Sequence, residues 1–288
     1  MARKPTFFAN IFTDWDVLPR PDITQAQWEN GVKETLQDLV NIPPCKTSRA
    51  VLDAIHRSGK TVTIVPERQP LLPDKADANA HADPTDPLTA TRLGGKPDNP
   101  PSPSALGVGG GSDVVLAFVA QDWDPATSTA SLRAVDETLL HELVHALRQA
   151  AGVEDTVPLH APFAVLRKGD GSVSQLMAGT TGNKPTKFSQ IYNEYEEFAA
   201  ILITNIYRSE NGRPGLRRDH LGGDAELTYP LTNARTFMTV WRPQIDQLCG
   251  EIRAVADQVA MVDCGFNPLF ELYAAEDKFL PGKRQVRP

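Results

Sequence analysis

The chain has little that would hold it in a membrane, cross-link it or attach it to a polyanion. No apolar run approaches the roughly 18 residues needed to span a bilayer. Asp14, Trp15 and Asp16 interrupt the short apolar patch near the start before a signal-peptide core forms. These two features predict a chain with no membrane span that is cytoplasmic when synthesised. Cysteine is scarce: Cys45, Cys249 and Cys264 are odd in number and form no CxxC pair, which argues against a disulfide framework and for reduced, buried thiols. Basic residues are outnumbered, 29 Lys and Arg against 36 Asp and Glu, so the net charge of −7 argues against nucleic acid as a partner. Gly109-Gly110-Gly111 is not followed by the Gly-Lys-Ser/Thr of a phosphate loop, so nucleotide binding is excluded too. No internal repeat is apparent.

What is present is enough apolar sequence for a large core, 41% of 288 residues. Trp28, Val32, Leu36, Leu39 and Val40 recur at spacings of three and four, which predicts a helix ended by Pro43-Pro44. A second helix is expected from about Ser48 to Ser58, with Gly59 as its left-handed cap. Val62–Val65 and residues 114–119 read as buried strands. Between them, residues 66–112 hold nine of the 24 prolines and six of the 20 glycines, with almost no apolar run. That composition predicts an extended insertion within one domain spanning 1–288, because the first 65 residues are too few for a core of their own. Helices are expected over 134–151, stopped by Gly152, and over about 193–209, stopped by Asn211-Gly212. A hairpin turning at Gly169-Asp170-Gly171 is expected between them. More helix follows up to a basic, proline-bounded tail, LPGKRQVRP. The fold class is α+β, mostly helical with a small mixed sheet.

The chemistry sits in the 134–151 helix. His141-Glu142-Leu143-Val144-His145 is an HExxH arrangement. Residues four apart project from one side of a helix, so both imidazoles can reach a single Zn²⁺ at about 2.0–2.1 Å. Glu142 lies beside them and acts on a water as general base rather than as a ligand. Leu139, Leu140, Leu143, Val144 and Leu147 supply an apolar face that buries the helix. A peptidase site needs a third protein ligand and an open position for water. Glu194, Glu196 and Glu197 lie where the next long helix begins, and Phe198, Ile201, Leu202 and Ile206 bury one side of that helix. Negative charge also favours a helix N-terminus in its own right.

HELVHA followed some fifty residues later by NEYEEFAA resembles the gluzincin group of zinc metallopeptidases. Within it the segments resemble bacterial effector and toxin proteases: the anthrax lethal factor protease domain, the clostridial neurotoxin light chains and the type III effector zinc peptidases. The resemblance covers roughly residues 134–212. It implies a zincin-like fold with the sheet beside the HExxH helix, and hydrolysis of peptide bonds in a protein substrate. It also implies delivery into a target cell by a specialised secretion system. His141 and His145 would be ligands and Glu142 the base. Matching the small residue three positions after the ligand allows Glu197, with Ala200, or Glu196, with Ala199; the run Phe198-Ala199-Ala200 favours Glu197. Arg217 and His220, three apart in LRRDH, are spaced similarly to the Arg and Tyr residues that assist in the neurotoxin light chains, while Tyr192 and Tyr195 are further candidates for stabilising the oxyanion. An edge strand at 114–119 would pair with the extended substrate, and the glycines before it would let a substrate approach closely. The alternatives are a metal-stabilised binding protein that has lost catalysis, and a deformylase-like hydrolase. The second would need a cysteine ligand upstream of HExxH, where only Cys45 is present.

Overall fold

The computed structural model describes residues 3–17, 20–41, 45–67, 80–98, 100, 102, 104–123, 134–159, 164–167, 173–176, 194–218, 226–227 and 229–276. The fold is mixed α/β, with many helices around one five-stranded mixed sheet. The sheet contains β1 (Lys4–Pro5), β2 (Ile11–Thr13), β3 (Val62–Val65), β4 (His81–Pro84) and β5 (Val114–Ala117), in the order β1-β2-β3-β5-β4. β2, β3 and β5 run parallel, while β1 and β4 pair antiparallel at the two edges. The 114–119 strand is therefore interior, and it ends at Ala117. The edge next to it is β4, which comes from the Pro/Gly-rich stretch that the composition assigned to an extended insertion. The described part of that stretch is woven into the fold, since the short helix α3 (Pro87–Ala90) follows β4 directly.

The helices form where the apolar spacing is helical. In α1 (Gln25–Asn41), Trp28, Val32, Leu36 and Leu39 are buried, and the Trp28 indole N–H donates to the Phe118 carbonyl at 2.8 Å. α2 (Lys46–Ser58) ends at Gly59, whose φ of 71° is the left-handed cap expected of glycine. Its start is capped from elsewhere: Glu210 accepts from the Lys46 and Thr47 amides at 2.7 and 3.1 Å, placing a carboxylate at the positive end of the helix.

α4 (Val135–Ala151) and α5 (Tyr195–Glu210) pack against each other in the centre of the molecule, and one apolar cluster runs from the sheet through both to the C-terminal helices. These helices are α6 (Ala234–Val240), α7 (Arg242–Glu251), α8 (Arg253–Val259) and α9 (Pro268–Ala275). α4 is buried on nearly every side, more than a single apolar face would require. Its polar residues tolerate this because α5 and the segment after it supply partners. Glu137 pairs with Arg208 and Arg213, and Asp136 with Tyr207 and Arg213.

Gly152 caps α4 in the left-handed region with φ 70°. The three glycines before β5 serve the same helix end. A Cβ on Gly111 would lie 2.0 Å from the Ala150 carbonyl oxygen, and one on Gly152 would lie 2.5 Å from the Gly110 nitrogen. At Gly111 and Gly152 the absence of a Cβ lets backbone pack on backbone, whereas a Cβ on Gly110 would meet nothing within 4 Å. β6 (Ala164–Arg167) and β7 (Val173–Leu176) form a separate antiparallel pair. The turn expected between them, at Gly169-Asp170-Gly171, lies outside the described residues, as do Pro43-Pro44 and the basic tail. No helix among the described residues is long and apolar enough to cross a membrane.

Candidate metal centre

α4 presents His141 and His145 on one face, and the first turn of α5 brings Glu197 to them. The two Nε2 atoms lie 3.1 Å apart. The Glu197 carboxylate reaches His141 Nε2 at 3.2 Å and His145 Nε2 at 3.6 Å. One donor atom from each residue therefore falls within 4.8 Å of the others, a group able to hold a metal ion. The rings meet edge to face at 77°, so both point a nitrogen at the same place. Two imidazole nitrogens and a carboxylate oxygen form the donor set of a three-ligand catalytic site.

Glu196, the alternative to Glu197, is engaged elsewhere. Its carboxylate accepts from the Arg148 Nε at 2.9 Å and from the Asp155 amide at 2.6 Å. Its Oε2 lies 3.6 Å from His145 Nδ1, the nitrogen that faces away from the cluster. Glu196 thus sits behind the His145 ring, where a carboxylate sets ring orientation. Arg148 is fully buried and also donates to Glu251 at 2.7 Å and to the Val153 carbonyl at 2.8 Å, with its guanidinium over the Tyr195 ring. Burial works against ionisation of Glu196, but Arg148 outweighs it and holds the carboxyl below the usual range.

The imidazoles divide the charge between them. Burial, together with the charges of His145 and Arg217, pushes His141 down to about 3. Burial opposes protonation of His145 as well, yet Glu196, Glu197 and Glu142 push it up to about 9. The carboxylates around the pair therefore stabilise a positive charge at this spot. Glu142 is 5% exposed and stands on α4 beside the pair.

Among the other sequence candidates, Arg217 is held against α5 by its backbone. Its amide donates to Asn205 Oδ1 at 2.7 Å and its carbonyl accepts from Asn205 Nδ2 at 2.8 Å. Its charge reaches His141. His220 and Tyr192 lie outside the described residues. Tyr195 is not an oxyanion donor, because its hydroxyl is buried against Glu251, at 3.1 Å, and the Gln244 carbonyl. Cys45 donates its thiol to Glu210 at 2.8 Å, and burial pushes that thiol up to about 12, so it belongs to the α2 cap and not to the metal cluster.

One residue escaped the sequence reading. His81, on the edge strand β4, has Nδ1 3.2 Å from Glu67 and Nε2 3.3 Å from Asp83. Asp83 first, then Glu67 and Glu142, raise its pKa against the cost of burial. Its sequence surroundings, AHADP, carry no apolar periodicity that would announce a strand beside the HExxH helix. Comparison of the chain with family models, with curated proteins and with solved structures finds no match.

Proposed function

We propose that this protein is a zinc-dependent endopeptidase of zincin-like fold, acting on a protein substrate in the manner of the bacterial effector and toxin proteases. The observation that carries this reading is the convergence of His141 Nε2, His145 Nε2 and the Glu197 carboxylate with Glu142 adjacent. A purely structural zinc site would close its fourth position with a protein donor, and would have no use for a base next to the ligands.

The donor set fits zinc: two imidazole nitrogens and one carboxylate oxygen, with His145 giving up its proton when a metal takes its place. Zinc bound there would supply Lewis acidity, acidifying a water and polarising the scissile carbonyl. The chain's own residues do the rest. Glu142 takes the proton of the attacking water on its carboxylate and delivers it to the amine nitrogen as the C–N bond breaks. Glu196, kept ionised by Arg148, faces His145 Nδ1 and so keeps Nε2 turned toward His141 and Glu197. Arg217 brings positive charge near His141, and such a charge would favour an oxyanion formed beside the metal.

The test is zinc content together with cleavage of a peptide pool, read by mass spectrometry as new termini. About one zinc per chain is expected in the native protein. Glu142→Gln is expected to retain the zinc and lose cleavage. A native protein that folds without zinc and still cleaves, or a Glu142→Gln variant that cleaves at the native rate, would overturn the reading.

A further inference from the structure

Gln149 lies one turn beyond His145, so His141, His145 and Gln149 form a single stripe along α4. Its side chain is buried, 4% exposed. Nε2 donates to the Ala82 carbonyl of β4 at 2.9 Å and to Glu154 Oε1 at 2.8 Å, whereas Oε1 accepts no hydrogen bond from the described residues. The residue is therefore held entirely through its nitrogen. Its anchor is itself fixed. Thr91 Oγ1 donates to Glu154 Oε2 at 3.3 Å, the Glu154 amide donates to the Ala90 carbonyl, and the Arg92 amide donates to the Glu154 carbonyl.

The strand register explains why Ala82 is the point of attachment. The Thr85 amide donates to Asp113, and the pairs Asp83–Val115 and His81–Ala117 share that parity. Ala82 then turns its carbonyl away from β5, toward the open side of the edge. Gln149 occupies that carbonyl. Pro84, the next residue of the same parity, has no N–H to offer. Two of the groups by which a further strand would add to β4 are thus closed.

We propose that Gln149 is a positioning residue that ties the edge strand to the metal-bearing helix, holding the wall that carries His81 at a set distance from Glu142 and the His pair. An extended peptide approaching the metal centre along β4 meets a wall fixed by this tie, and gains little from a continuous backbone ladder along β4. The functional consequence rests on the metallopeptidase reading above; the tie itself does not.

The decisive variant is the exchange Gln149→Glu with Glu154→Gln. It keeps a hydrogen-bonded carboxylate–amide pair at the same two positions, but it turns a carboxylate instead of a donor toward the Ala82 carbonyl. Zinc content and affinity for acetohydroxamate, which touches the metal alone, are expected to match the native protein. Affinity for a trialanyl hydroxamate, which also contacts the wall, is expected to fall about tenfold. Amide exchange over residues 80–86 is expected to quicken. Gln149→Met, of similar volume and without a donor, is expected to behave the same way and serves if the exchange variant does not fold. Native hydroxamate affinities and native exchange in both variants would overturn the proposal, and so would equal loss of both hydroxamates. A native protein that takes neither zinc nor hydroxamate defeats the peptidase reading instead. Amide exchange over 80–86 then decides the tie, with native protection in the variants counting against it.

Discussion

α4 and α5 bury ionised groups at both ends of their contact, and the two ends treat them differently. At the end formed by the start of α4 and the finish of α5, two carboxylates, Asp136 and Glu137, meet two arginines, Arg208 and Arg213, and the Tyr207 hydroxyl. At the other end, Glu142, Glu196 and Glu197 surround the imidazoles, and Arg148 divides itself between Glu196 and Glu251. The first arrangement is a closed set of pairs. The second draws a proton onto His145. Paired charge of the first kind sets how the helices dock, whereas the second creates a preference for a cation.

Removal of one arginine at the paired end should have the largest effect. Arg208→Ala leaves Glu137 buried with half its partners, and a loss of about 3–5 kcal/mol in urea denaturation is expected, with zinc content of the surviving folded protein unchanged. A loss below about 1 kcal/mol would show that the pairing is dispensable. At the other end the neighbouring glutamates should separate. Glu197→Gln is expected to weaken zinc binding by more than the roughly 10–100-fold that Glu196→Gln costs, because one removes a donor and the other removes only the group behind a donor. Equal losses in a competitive chelator titration would erase the distinction drawn between them.

A smaller effect should appear as a function of pH. Burial pushes the Glu154 carboxyl up to about 7 from its ordinary 4.5. Between those values the folded chain holds a proton that the unfolded chain has released, so this group makes stability fall as pH rises from 4.5 to 7 and adds nothing further above. Glu154→Gln should match the native protein near pH 4.5 and exceed it by about 3 kcal/mol at pH 8. The amide still accepts from Gln149, so β4 should stay attached. Parallel pH–stability curves for the two proteins would contradict the raised value.

Much of this was legible in the sequence. The spacing of Leu139, Leu140, Leu143, Val144 and Leu147 locates α4 to within a residue, and Gly152 ends it as its position suggests. The histidine pair with a distant carboxylate could be read from the residues alone. The choice of Glu197 over Glu196 rests on the Phe198-Ala199-Ala200 run alone and agrees with the cluster, but the residues give it little support, because both glutamates are followed by alanine three positions on. What separates them is Arg148, which claims Glu196 from one turn below His145. The edge strand was hidden for another reason. His81–Pro84 is short, polar and proline-ended, as an edge strand often is, and such a segment is hard to tell from a loop. The glycine run before β5 was visible, but its purpose was not. The Ala150 carbonyl it accommodates lies far along the chain, on a helix end that only the folded backbone brings near.

The three side chains able to hold a metal ion come from two helices joined by a long intervening segment. An unfolded chain offers only a pair of imidazoles, and the complete set arises when α4 and α5 have docked. A cation that prefers the complete set therefore acts by mass action on folding itself: at a free concentration a hundred times its dissociation constant it adds about 2.7 kcal/mol to the native state. The melting temperature would become a gauge of how much metal the solution contains, and a chelator would return it to the value of the bare chain.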